Sequence, residues 1–192
     1  LHRLHEEERS YAEGLEGRRR AQWIGGRLAV RTAARSLGYD IGAVLSTARG
    51  APIAPKPLSL SISHKERLAV ALVCKKTHGS VGVDFEVLGR DRRHIAEKIL
   101  SPTELEKVHA LPEKHQWGAI LVRFAIKEAI YKSLAPRLRR YIAFDEAVIS
   151  EFQNGHAKLH LNLKGDDVPA SIEGLYEWMP EGLIATVRSR WT

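Results

Sequence analysis

The chain has little cysteine, no long apolar run and, over one stretch, no acid. Cys74 is its single cysteine, so a disulfide framework and a cysteine-based zinc site are both excluded. Cys74 lies in the apolar "LAVALVC" and reads as a small buried residue rather than a reactive thiol. Such cysteine usage suits a cytoplasmic protein. No apolar run approaches the length that spans a bilayer, and no membrane partner is expected. "LHRLHEEERS" is polar and acidic, unlike a signal peptide. The chain opens at Leu1 without Met, which leaves room for an upstream element. His64 aside, the histidines show no metal-ligand spacing. Between Arg18 and Arg35 there is no Asp or Glu, while arginines stand at 18, 19, 20, 27, 31 and 35. The net charge of +7 and pI near 9.7 call for anionic partners. Nucleic acid, a polyphosphate ligand and an acidic protein all fit.

What is present suffices for one core or two small lobes: 192 residues, 44% of them hydrophobic. "LHEEERSYAEG" predicts a short helix. "RRRAQWIGGRLAVRTAARSLG" predicts a longer one, closed by Gly38. Gly25 and Gly26 inside it cost about 1 kcal/mol each against alanine, so something packs close to the backbone there. After the Pro-rich loop "TARGAPIAPKP", the segments "LSLSISH", "RLAVALVCK" and "SVGVDFEV" predict a three-stranded antiparallel sheet. "DRRHIAEKIL" predicts an amphipathic helix. "SPTELEKVHAL" predicts a second, opened by a capping box of Ser101 and Glu104 with Pro102 at the first position. "EKHQWGAILVRFAIKEAIYKSLA" predicts the longest helix, ended by Pro136. Strands return after it, with Asn154-Gly155 as a hairpin turn. The expected fold is α+β: two similar lobes, 1–100 and 101–192, each an antiparallel sheet on a long helix.

Three groups of residues carry chemistry. In "GSVGVDFEV", Gly82, Asp84 and Glu86 share one strand face, opposite Val81, Val83 and Phe85. The two carboxylates, ~7 Å apart at Cα, can converge on a hard cation such as Mg²⁺, and Gly82 leaves room for a ligand. The same spacing also suits a solvated sheet face. In "VRFAIKEAIYK", Glu128 and Lys132 share a helix face. They form either a surface ion pair or, on so apolar a helix, a buried carboxylate in need of a partner. In "SISHK", His64 ends a strand as a structural histidine or as a hydrogen-bond donor to phosphate.

In combination and order, Ser63-His64, Gly82-Val83-Asp84-Phe85-Glu86 and Phe124 through Lys132 resemble the 4′-phosphopantetheinyl transferases. The family's helix motif is (Trp/Phe)-x-x-Lys-Glu-(Ala/Ser)-x-x-Lys. The arginine-bearing helix and "LSPTEL" resemble further family segments, and the likeness covers roughly 18–134. It is closest to the two-lobed, pseudo-twofold type serving siderophore, nonribosomal-peptide and polyketide synthesis.

The resemblance implies transfer of the phosphopantetheine arm of coenzyme A to a serine of an apo acyl or peptidyl carrier protein. Adenosine 3′,5′-bisphosphate is released. It implies Mg²⁺, or Mn²⁺, on Asp84, Glu86 and Glu128. Glu128, Lys132 and His64 take catalytic roles. Coenzyme A meets Arg27, Arg31, Arg49, Ser63, His64, Lys127 and Lys132. Gly50-Ala51-Pro52 departs from the family's frequent Gly-Lys-Pro, which removes an adenine-side lysine. A monomer without nucleic acid is implied. The alternatives are a nucleic-acid-binding protein, on net charge and the arginine helix, or a Mg²⁺-dependent nuclease that uses the same carboxylates.

Overall fold

A computed structural model describes residues 2–48 and 50–192. The chain begins with α1 (Glu6–Glu13) and α2 (Gly17–Ser36). Gly38 closes α2 with φ of +80°, and its N–H donates to the Arg35 carbonyl, as the sequence predicts. Strands β1 (Leu58–Lys65) and β2 (Leu68–Lys75) form an antiparallel hairpin on which α2 lies. The glycine pair permits this contact. A Cβ at Gly26 would stand 2.9 Å from Ile62 Cγ2, and one at Gly25 would stand 3.2 Å from Ala69 Cβ.

The third expected member of that sheet, β3 (Ser80–Glu86), pairs elsewhere. It runs antiparallel to β7 (Gly182–Arg190), in a five-stranded sheet of order β3-β7-β6-β5-β4. The other members are β4 (Ala147–Gln153), β5 (His156–Leu161) and β6 (Ser171–Met179). The strand carrying Asp84 and Glu86, expected in the first lobe, thus belongs to the second lobe's sheet. The reason lies in the edges. β1 offers β3 a row of serine hydroxyls where a backbone ladder was expected. Ser59, Ser61 and Ser63 Oγ accept from the amides of Val81, Val83 and Phe85 at 3.2, 3.0 and 3.2 Å. Both numbers rise together, so β1 and β3 run parallel, and a side-chain seam joins the two sheets.

The amphipathic stretch before Ser101 forms only a single 3₁₀ turn and the short α3 (Ala96–Ile99). Pro102 holds Ser101 extended at ψ of 162°, which separates α3 from the next helix. α4 (Pro102–His109) then opens with the expected capping box: Glu104 Oε2 accepts from Ser101 N at 2.8 Å. α5 runs from Glu113 to Leu138 and passes through Pro136. A proline in the last turn removes a single ladder bond, and left-handed Arg139 closes the helix by donating to the Ala135 carbonyl. The Asn154-Gly155 turn joins β4 to β5 as expected, with both residues at positive φ.

The main core lies between α5 and the five-stranded sheet, and a smaller one between α2 and the hairpin. At the larger interface a Cβ on Gly82 would meet the Ala129 carbonyl oxygen at 1.8 Å. The space at Gly82 therefore admits helix α5; the expectation of room for a ligand there is corrected.

Candidate active site

The two acids of β3 are both buried, at 5% and 6% exposure. A buried charge needs a partner, and lysines supply it. Lys132, from α5, donates to Asp84 Oδ1 at 2.7 Å and to the Val83 carbonyl at 3.1 Å. Ser63 donates to the same oxygen at 2.9 Å while accepting from Phe85 N. Lys65, at the end of β1, stands 2.5 Å from Glu86 Oε2, an ion pair without hydrogen-bond alignment. Asp84 Oδ2 and Glu86 Oε2 are both buried without a hydrogen-bond donor.

Glu128 is half-buried on the face of α5 that carries Lys132. Its carboxyl is pushed above the ordinary carboxylate range. Burial is the first cause and the negative charge of Asp84 the second; Glu86 adds to the effect and Lys132 opposes it. The three acids thus act on one another electrostatically. Glu128 also lines a cavity of about 170 Å³ with Tyr131, Tyr141 and Phe144.

Not every expected residue is available to a ligand. Lys127 is buried and places three donor bonds internally, on Glu104 Oε2 at 2.7 Å and on the Ile99 and Phe144 carbonyls at 2.8 and 3.0 Å. Burial lowers its pKa, and Glu104 resists that. Arg31 is likewise saturated by the fully buried Glu8 and by the Ile41 and Gly42 carbonyls. Its guanidinium, like the Lys127 ammonium, is engaged within the fold. Ser63 donates its hydroxyl proton to Asp84. Arg27 donates to the Val44 carbonyl and Ser46 Oγ and stacks on Trp23 with its guanidinium carbon 4.1 Å from the ring centre. It too is largely engaged, and burial lowers its pKa. His64 is exposed and has no hydrogen-bond partner among the described residues. Arg49 lies outside the described residues.

Two participants escape a motif search. Lys65 occupies the same alternating row as Ser59, Ser61 and Ser63, and that period is its only sequence signal. Glu104 signals a helix cap, yet it also receives Lys127 and, at 2.9 Å, the amide of Ile149.

Among the described residues, no group of three His, Cys, Asp or Glu side chains stands ready around one metal position. The donor set nevertheless fits a hard divalent cation. It consists of carboxylate oxygens, and two of them are buried without a donor.

Comparison with known proteins agrees with this geometry. Residues 80–187 match the 4′-phosphopantetheinyl transferase superfamily, and residues 6–74 match the 4′-phosphopantetheinyl transferase N-terminal domain. The chain is 32% identical to 4′-phosphopantetheinyl transferase Npt of Nocardia iowensis over 153 residues, 79% of this chain and 68% of that one. It is 29% identical to 4′-phosphopantetheinyl transferase PptT of Mycobacterium tuberculosis over 135 residues, 69% of this chain and 59% of that one. A crystal structure of the Thermotoga maritima holo-[acyl-carrier-protein] synthase superposes with a TM-score of 0.49 at 24% identity, covering 60% of this chain and 64% of that one. On the family matches, which take in both sheets and the acids of β3 and α5, the chain belongs to the 4′-phosphopantetheinyl transferase superfamily.

Proposed function

We propose that this protein transfers the 4′-phosphopantetheine arm of coenzyme A to a serine hydroxyl of an apo acyl or peptidyl carrier domain, with release of adenosine 3′,5′-bisphosphate. The observation that supports the reading is the Lys132–Asp84 ion pair joining α5 to β3, with Glu128 one turn before Lys132 and Glu86 two residues after Asp84, in a chain of this superfamily. Glu128 takes the proton of the attacking serine, directly or through a bound water. Lys132 neutralises phosphate charge as it develops. It is held in place by Asp84 and the Val83 carbonyl. Ser63 fixes the Asp84 carboxylate, and the free imidazole of His64 receives a phosphate of coenzyme A. Asp84, Glu86 and Glu128 would hold Mg²⁺ or Mn²⁺, which when bound neutralises pyrophosphate charge on the leaving side.

The carrier domain is the second substrate. The chain's net charge of +7 favours an acidic partner, and the enzyme acts as a monomer in the cytoplasm. The test is incubation with coenzyme A, Mg²⁺ and an apo carrier domain. Intact mass of the carrier rises by one phosphopantetheine arm with the native chain and stays unchanged with Asp84→Ala or Glu86→Ala. Full labelling by either variant would refute the metal assignment.

A further inference from the structure

We propose that Lys65 is a resident counter-cation of the site, holding Glu86 in the metal-free protein and giving way when a divalent cation arrives. The inference rests on the metal reading above and adds to it a residue outside the family motif. Its position is set by the seam between the sheets. Ser59, Ser61 and Ser63 face the amides of residues 81, 83 and 85. Lys65 is the next member of that row, so the register that joins the lobes also delivers its ammonium to the end of β3. There it meets Glu86 Oε2 at 2.5 Å. That oxygen is buried and has no hydrogen-bond donor, so Lys65 is the cation that compensates it.

The two lysines of the site differ in how firmly they are held. Lys132 donates both to Asp84 and to the Val83 carbonyl. Among the described residues Lys65 has the single Glu86 contact, and its side chain is 35% exposed. A flexible, strongly hydrated ammonium can swing into water at small cost. A divalent cation on Glu86 would repel an ammonium at contact distance. Metal entry is therefore an exchange that releases Lys65 from an ion pair spanning β1 and β3.

Mn²⁺ alone, titrated into the full chain without coenzyme A or carrier and followed by electron paramagnetic resonance, tests this. Lys65→Gln should bind Mn²⁺ about tenfold tighter, or ~1.4 kcal/mol. Lys65→Arg should stay near the native affinity. Lys158→Gln, which removes a charge from an exposed pair with Glu151, should change nothing. Thermal melts give a second readout. Lys65→Gln should melt below the native chain in chelator and level with it in saturating Mn²⁺. Unchanged or weaker Mn²⁺ binding by Lys65→Gln, or a melting deficit that persists with metal, overturns the exchange alone. If the native chain shows no Mn²⁺ binding that Glu86→Gln abolishes, the metal reading falls and the exchange with it.

Discussion

Both long helices lie on an antiparallel sheet and both carry buried cations, but they use them differently. On α2, Arg31 is closed off by Glu8 and two carbonyls, and Arg27 by a carbonyl, a hydroxyl and an indole face. On α5 the same kind of closure is found at Lys127, yet Lys132, five residues on, stays partly open while it pairs with Asp84 of β3. A cation whose donors are all spent indoors fixes the fold. One that shares its donors with under-satisfied carboxylates suits the charge-neutralising role proposed for Lys132. The difference lies in the neighbours each side chain meets, since Lys127 and Lys132 are alike in type and in helix.

The sharpest way to break this comparison is to remove the closed cation. Lys127 and Glu104 are each 1% exposed at the side chain. Lys127→Met leaves a carboxylate buried without its counter-charge, a loss of about 3–5 kcal/mol. Denaturant unfolding should show that loss whether or not substrates are present. An intact midpoint would mean that Lys127 is free for a ligand after all.

Lys132→Ala should behave differently. Its side chain is 25% exposed against 1% for Lys127, so the loss of stability should be smaller than for Lys127→Met, although Asp84 is left without its counter-charge. Carrier labelling should slow by roughly 10²–10³-fold, as when a preorganised charge donor is lost. Single-turnover rates and coenzyme A titration separate the two cases: a fall in turnover beyond the fall in affinity marks a transition-state role. Equal losses would reduce Lys132 to ordinary binding.

How much of this was legible beforehand follows the same division. The acids at 84, 86 and 128 and the lysine at 132 stand at spacings that local structure enforces, so period alone put them on the right faces. The pairing of β3 was not legible. A strand with one apolar face after two others suits either sheet, and only the long-range match to β7 decides. The saturation of Arg31 and Lys127 depends on Glu8 and Glu104, each 23 residues away in sequence. No local pattern reports such a partner. The serine alternation of β1 was visible as a polar face, but Ser61 and Ser63 are buried against β3. Polarity in a period of two marks a seam as readily as a solvated surface.

That seam is the next test of what separates the lobes. Ser61→Ala removes the acceptor of the Val83 amide and leaves a buried donor unpaired. A loss of about 1–3 kcal/mol is expected. Because β1 and β3 belong to different sheets, the loss should appear as earlier opening between lobes in hydrogen exchange, with Val83 among the first amides to gain. Uniform exchange across both sheets would argue that the seam carries no separate weight.

The smallest effect distinguishes site from scaffold by its sign. Glu128 is held above its ordinary pKa by burial and by the charges of Asp84 and Glu86. A carboxyl raised in the folded state binds its proton more tightly there than in the unfolded chain. Its stabilising contribution is present below the unfolded value and is lost as pH rises through the folded one. At neutral pH the ionised group is therefore a burden on the metal-free protein. Glu128→Gln keeps the shape and removes the charge. It should abolish carrier labelling while raising metal-free stability on the order of 1 kcal/mol or less, given its partial exposure. The gain should shrink as pH is lowered toward the carboxylate range, where the native residue becomes neutral as well. Glu104→Gln should do the reverse and destabilise, since it strips Lys127 of its counter-charge. Should Glu128→Gln also destabilise at neutral pH, Glu128 would belong with the closed pairs and would not be the base.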